Sequence, residues 1–337
     1  MKAPERTRIV LYGLGQIGLE TAKAILGRRD LQLVGAIDVN PAMQQRDVAD
    51  LAEIKSPSGV RVSDRPADVL GVTRPDVVIL TTGSRFKSVL PQIKQCVNAR
   101  TNIVSSCEEL LMPQAQYPVQ SRELDKLAKS RDVSVLGTGV NPGLVMDTMA
   151  LAATAPCLSV KSVSIERIVN ASTRRENLQR KVGAGMTRAQ FRKGVKKAEL
   201  GHVGLLESTH LVAESLGLSL DKVDETITPI MATKKVKTPY LTVESGQVAG
   251  IHHVCRGMRK RREAVALDLK MYVGARNASD RVSVTGEPNI ELRFQGGVAG
   301  DEATVAMLLA TVPAMKSLPA GLRTMADVPV PHWRSGE

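Results

Sequence analysis

A chain of 337 residues, 43% hydrophobic and 24% charged, has the composition of a globular protein large enough for two domains and a substantial core. Aromatic residues are scarce, one Trp, four Tyr and three Phe, which leaves almost no stacking platform for single-stranded nucleic acid and disfavours such a partner. The formal net charge of +12 is spread along the chain, with basic runs at 174–175, 192–197, 234–237 and 256–262 that read as solvated faces and hairpin turns, or as a field drawing in an anionic cofactor.

Lys2, Glu5, Arg6 and Arg8 lead at once into the first strand, so no leader segment is expected in front of the fold, and no apolar run reaches membrane-spanning length. The four cysteines, Cys96, Cys107, Cys157 and Cys255, lie far apart with no pair at metal-ligand spacing. A reducing cytoplasm and no bound metal are the corresponding expectations.

The first strand, Ile9-Val10-Leu11-Tyr12, opens into Gly13-Leu14-Gly15-Gln16-Ile17-Gly18, and a helical stretch follows at 20–26. Leu31-Gln32-Leu33-Val34-Gly35-Ala36-Ile37 reads as a second buried strand, ended by Asp38. This is the pattern of a dinucleotide site. Gly13 permits the tight turn, Gly15 lets backbone approach a pyrophosphate, Gly18 lets the helix pack close to the sheet, and Asp38 lies where a ribose diol would be held. Free N–H groups at the helix start, at Gln16 and Ile17, then face the phosphates.

Further on, short strands are expected at 60–62, 76–80, 102–105 and 133–136, with helices at 67–70, 86–99 and 121–130, Pro91 falling in the first turns of the second. Strands alternating with helices build a doubly wound parallel sheet of the Rossmann type, whose ligands bind beyond the carboxyl ends of the strands. Thr82 and Gly83 stand at one such end and join the expected cofactor contacts. From 160 the rhythm changes to successive strand-like runs at 160–169, 226–231, 240–243, 265–273 and 289–294, interrupted by a helical block at 176–216. That pattern predicts a second, α+β domain with a mixed or antiparallel sheet. A final helix at 301–309 is expected back on the first domain. The resulting division is 1–140, with 300–337 packing back on it, as an NAD(P)-binding domain, and 141–299 as a substrate-binding and dimerisation domain.

Three segments could carry chemistry. In Ser105-Ser106-Cys107-Glu108-Glu109-Leu110 a carboxylate would reach the nicotinamide side of the cleft, where partial burial makes it a general base. The acids could equally just begin the next helix, favoured by its dipole. Cys107 is a rival nucleophile without a nearby histidine to activate it. In Gly137-Thr138-Gly139-Val140-Asn141-Pro142-Gly143 the glycines and proline set backbone shape, and Asn141 offers a donor and an acceptor, though a linking loop reads the same way. In Glu199-Leu200-Gly201-His202-Val203-Gly204-Leu205-Leu206-Glu207-Ser208, His202 and Glu207 are polar groups at an otherwise apolar helix start, and His202 also reads as a structural residue. His252-His253 is no metal pair, since neighbours on a strand point to opposite faces.

Ser-Cys-Glu-Glu-Leu at 106–110, Gly-Thr-Gly-Val-Asn-Pro-Gly at 137–143, Gly-His-Val-Gly-Leu at 201–205 with Glu207-Ser208, and Gly-Asp-Glu-Ala-Thr at 300–304 together resemble the 2,4-diaminopentanoate dehydrogenase family. That family includes native amine dehydrogenases and shares the dihydrodipicolinate reductase-like architecture; the resemblance runs from Val10 to Pro331. It implies NAD(P)-dependent, reversible oxidative deamination of an amine to a ketone and ammonium, with Glu108 as the catalytic carboxylate. Asn141, Asn170 and His202 are the candidate pocket residues. The substrate segment of true dihydrodipicolinate reductases is missing, and the shortage of aromatics predicts a pocket shaped by aliphatic side chains.

Asp38 favours NAD, because its carboxylate accepts from the ribose 2′-hydroxyl and repels a 2′-phosphate, while Asn40 and Arg46 soften that preference. NAD is therefore expected to bind at least as well as NADP. Two other readings stand beside the amine dehydrogenase: an imine or carbonyl reductase of the same fold that ignores ammonia, and a nucleotide-sensing regulator that binds nucleic acid through its basic surface. A homodimer is the expected assembly.

Overall fold

The computed structural model describes residues 6–335; Lys2 and Glu5, on which part of the N-terminal reading rests, lie outside that range. The chain divides into two units, one running to Leu144 and resuming at Ala299, the other spanning Val145–Val298.

The first unit is built on near-continuous apolar runs, as strands buried on both faces require. In order these are β1 (Thr7–Tyr12), α1 (Gln16–Leu26), β2 (Leu31–Ile37), α2 (Val48–Leu51), β3 (Val62–Ser63), α3 (Pro66–Thr73), β4 (Val77–Leu80), α4 (Phe86–Asn98), β5 (Asn102–Ser105), α5 (Pro118–Arg131) and β6 (Ser134–Gly137). Pro91 sits in the second turn of α4, and the helix continues past it to Asn98. Every strand pairing is parallel, in the spatial order β6-β5-β4-β1-β2-β3. The chain thus winds outward from β1 through β2 and β3, then returns to lay β4 on the other side. Such a reversal opens a crevice beyond the carboxyl ends of β1 and β4. Beneath it, Val10, Val78 and Leu80 of the sheet pack with Phe86, Val89 and Ile93 of α4 and Leu124 of α5.

The second unit comprises α6 (Thr148–Thr154), β7 (Ser159–Asn170), α7 (Glu176–Lys181), α8 (Arg188–Lys196), α9 (Leu205–Ser215), β8 (Lys222–Met231), β9 (Val236–Lys237), β10 (Thr242–Val243), β11 (Val248–Arg259), β12 (Arg262–Tyr272), β13 (Ser279–Glu287) and β14 (Ile290–Gln295). Six of these strands form a mixed sheet in the order β14-β13-β7-β12-β11-β8, in which only β7 and β12 run parallel. Helices α6 and α9 pack on one face. The run at 240–243 shrinks to β10, which pairs with β9 in a ribbon outside the main sheet. The helical block is three helices, broken where Gly183, Gly185, Gly201 and Gly204 take positive φ.

The chain then re-enters the first unit. There α10 (Gly300–Thr311) packs on α1, and β15 (Gly321–Arg323) pairs parallel with β6 as a seventh strand.

Candidate active site

All strands of the first sheet run the same way, so the segments following β1, β2, β4, β5 and β6 emerge at one edge. After β1, Gly13 takes φ +97°, and its amide donates to the Ile37 carbonyl at 2.8 Å. The Thr81 hydroxyl donates to the Gly13 carbonyl at 2.7 Å, which locks the turn to the end of β4. A Cβ on Gly18 would fall 2.0 Å from the Gly13 oxygen, so that glycine is needed for α1 to lie against the turn. Gly15 is different: its φ of −65° suits any residue, and a Cβ there would meet no atom within 4 Å. The protein itself has no use for a glycine at 15. The open space in front of α1, whose first turn carries no acid, fits a pyrophosphate.

Asp38, half-buried at the end of β2, is held by two backbone donors, Leu14 N–H to Oδ2 at 2.6 Å and Asn40 N–H to Oδ1 at 2.8 Å. Its carboxylate is thereby tied to the glycine turn. Thr82 is exposed after β4 with its hydroxyl bonded to the Gln92 side chain, and Gly83 follows it half-buried. Sequence reading selected Thr82 and passed over its neighbour Thr81, whose bond to Gly13 becomes visible only once β1 and β4 are side by side.

After β5 the structure separates two adjacent acids. Glu109 is fully buried; its Oε1 accepts from the Arg85 guanidinium at 2.8 Å and its Oε2 from the Phe86 amide at 2.7 Å, at the start of α4. Glu108 stays partly exposed at the head of a single helical turn, Glu108–Leu111. That turn rests on β6, because a Cβ on Gly137 would approach the Leu110 and Leu111 backbone to 2.5–2.6 Å. Cys107 is buried, and burial, reinforced by Glu108, pushes its thiol well above the ordinary range. A thiolate there is disfavoured, so Cys107 is no rival nucleophile.

After β6, the Thr138 amide donates to the Ser105 carbonyl at 2.8 Å, and the Val140 amide to the Thr304 hydroxyl of α10 at 3.3 Å. Asn141 is only 8% exposed, yet neither atom of its side-chain amide has a hydrogen-bond partner among the described residues. The buried Thr138 hydroxyl is in the same state, and no local signal in the sequence marked it. Buried polar atoms are seldom left so, and a ligand with its own donor and acceptor would satisfy them.

Asn170 and His202 belong to the second unit. Asn170, at the end of β7, caps a short turn through its Oδ1, which accepts from Ser172 N–H at 3.0 Å. His202 precedes α9 in a loop between two positive-φ glycines, rather than standing inside the helix start. Of the neighbouring motif, Ser208 is structural: its hydroxyl donates to the buried Asp147 carboxylate at 2.7 Å. His252 and His253 point to opposite faces of β11, one bonded to Asp268 and the other to Glu225.

The 2,4-diaminopentanoate dehydrogenase C-terminal domain matches residues 144–337, and the dihydrodipicolinate reductase N-terminus matches residues 7–107. The chain is 32% identical to the 2,4-diaminopentanoate dehydrogenase of Acetoanaerobium sticklandii over 99% of its own length and 96% of that protein's. It is 21% identical to an amine dehydrogenase of Streptomyces virginiae over 95% and 96% of the two chains. The solved amine dehydrogenase of Mycobacterium smegmatis superposes with a TM-score of 0.87, covering 98% of each chain at 24% identity, and so shares this fold. With a glycine turn, a tethered Asp38 and Glu108 on one sheet edge, and a relative that matches from end to end, the chain belongs to the 2,4-diaminopentanoate dehydrogenase family.

Proposed function

We propose that this oxidoreductase catalyses the reversible oxidative deamination of an amine or diamino acid: the ammonium form, water and NAD(P)⁺ give ketone, NH₄⁺, NAD(P)H and a proton. The observation that carries the reading is Glu108, partly exposed after β5 on the edge where the glycine turn leaves β1, while Glu109 beside it is sealed.

Gly13, Gly15 and Gly18, with the first N–H groups of α1 at Gln16 and Ile17, would hold the pyrophosphate, and Thr82 and Gly83 would flank the cofactor from β4. When bound, the cofactor supplies the acceptor for the hydride leaving the amine carbon. Glu108 takes a proton from the substrate ammonium and passes it to solvent, and the regenerated carboxylate stabilises the iminium cation that develops as hydride departs. It then takes a proton from the water attacking that iminium, and in reverse it holds ammonia against the carbonyl. The unpartnered amide of Asn141 offers a hydrogen bond to the reacting group, and Asn170 and His202, both in the second unit, are the other proposed substrate-binding residues.

Asp38 favours NAD at least as strongly as NADP, since a carboxylate fixed by Leu14 and Asn40 N–H groups accepts from a 2′-hydroxyl and repels a 2′-phosphate. NADP binding at least about tenfold tighter than NAD would overturn this preference. The proposed assembly is a homodimer through the second unit, and a monomeric mass in light scattering would rule it out.

A panel of amines that includes 2,4-diaminopentanoate and simple alkylamines, assayed for NAD(P)H formation, tests the reaction. Glu108→Gln should lose about 10²-fold or more in kcat at unchanged cofactor affinity; wild-type turnover would remove Glu108 from the mechanism. Carbonyl-dependent NADH oxidation that ignores ammonium would instead identify an imine or carbonyl reductase.

A further inference from the structure

The loop that carries His202 lies between two glycines, and the Gly201 amide donates to the Lys181 carbonyl at 3.4 Å. Gly201 and Gly204 bracket it at φ +125° and +115°, and a Cβ on Gly201 would come within 2.8 Å of the Ile227 side chain of β8. Beside it His253, 1% exposed, projects from β11, with its Nδ1 3.4 Å from the backbone nitrogen of His202 and its Nε2 2.9 Å from Glu225 Oε1. In the sheet His253 lies opposite Ile227 of β8, so Glu225 reaches the ring diagonally from two residues along that strand.

These contacts fix the proton. A backbone N–H can only donate, so Nδ1 is the bare acceptor, and the ring proton sits on Nε2 and donates to the Glu225 carboxylate. One neutral tautomer satisfies both bonds at once. Glu225, about 40% exposed at the far end, stays solvated while it orients a ring that is not.

We infer that His253, held in that tautomer by Glu225, is a positioning residue that sets the backbone of His202 and with it the affinity of this unit for substrate. The inference rests on the reading of His202 as a pocket residue. Two adjacent strands thereby hold a loop whose ends are left-handed glycines, as supporting groups do for functional side chains generally.

Two substitutions separate the two bonds. In His253→Asn the side-chain oxygen stands near the place of Nδ1 and accepts from His202, but the residue is too short for Glu225. In His253→Gln the side chain reaches Glu225 and leaves the His202 amide without an acceptor. His253→Gln should raise KM for 2,4-diaminopentanoate about tenfold with kcat within about threefold, the scale of one lost hydrogen bond. It should also speed deuterium exchange across residues 199–205. His253→Asn should return both readouts toward wild type.

Equal KM values in the two variants, or exchange at 199–205 untouched by His253→Gln, overturn the proposal. If both variants unfold, Glu225→Ala at its partly exposed site decides. A KM rise of about threefold or more with faster exchange supports the relay, and wild-type behaviour overturns it. His202→Ala keeps the two readings apart. Unchanged kinetics there would remove His202 from the pocket and the proposal with it, whereas a raised KM alongside identical His253 variants would sink the relay alone.

Discussion

Glu108 and Glu109 share a sequence context and a helix dipole, and they separate only because Arg85 and the Phe86 amide arrive from the preceding connection to close around one of them. No local pattern could have told which acid is which. The family resemblance pointed to Glu108, and burial supplies the physical reason that Glu109 is spoken for. Glu109→Gln should therefore destabilise the fold by about 1–3 kcal/mol, seen in denaturant melts, by weakening a charge-assisted pair in a sealed site. Glu108→Gln, at a partly exposed position, should cost less in the same melt. His210, half-buried on α9, makes a second residue-scale prediction. Burial lowers its pKa below the ordinary 6.5, with Glu214 opposing, so the fold holds the ring neutral where the unfolded chain takes up a proton. That contribution to stability is full above 6.5 and is lost as pH falls through the folded value. His210→Gln should shrink the drop in Tm between about pH 7.5 and about pH 5.5 by about 2 °C.

At the scale of elements, the glycine turn shows why part of the fold was legible. Its glycines obey rules that hold within a dozen residues, and β1, β2, β4, β5 and β6 advertise themselves as apolar runs because both their faces are covered. The strands that escaped reading fail that test. In β11 the alternation is masked by Gly250, Gly257 and the two histidines; a Cβ on Gly250 would fall 2.1 Å from the Met271 carbonyl, so the residue that weakens the pattern is demanded by the packing. In β13 the inward Asp280 looks like a surface residue until Arg167 of β7 is placed opposite it, 3.0 Å away. The glycines of the turn are separable by experiment. Gly18→Ala should fail to fold or melt far below wild type, because its Cβ cannot clear the Gly13 carbonyl. Gly15→Ala should keep the wild-type melt and bind NAD about tenfold or more weakly by titration, since its methyl group points into the space assigned to the ligand.

For the whole molecule, the two passages of chain between the units are alike in one respect. Just past the first, Asp147 is fully buried and takes the Thr148 amide and the Ser208 hydroxyl. Just before the second, buried Asp280 takes the Val298 amide at 2.7 Å while Arg167 donates to the Val298 carbonyl at 2.9 Å. Burial raises the Asp280 carboxyl and lowers the Arg167 guanidinium, so the pair is kept for what it grips rather than for stability. Arg167→Met should cost about 3–5 kcal/mol by stranding Asp280, and adding Asp280→Leu should restore most of it in melts while speeding proteolysis near Gly296 and Gly297. None of these carboxylates was legible beforehand, because their partners come from other strands or lie far along the chain. The same holds for β15, three residues long, which is recognisable only as the neighbour of β6, where the Ser134 hydroxyl bonds to Pro319 across 185 residues of sequence. That pairing sets an order of assembly. The first unit begins folding first and finishes last: on the ribosome, β6 waits as a bare edge, open to wrong partners, until the entire second unit has been made and β15 arrives to cover it.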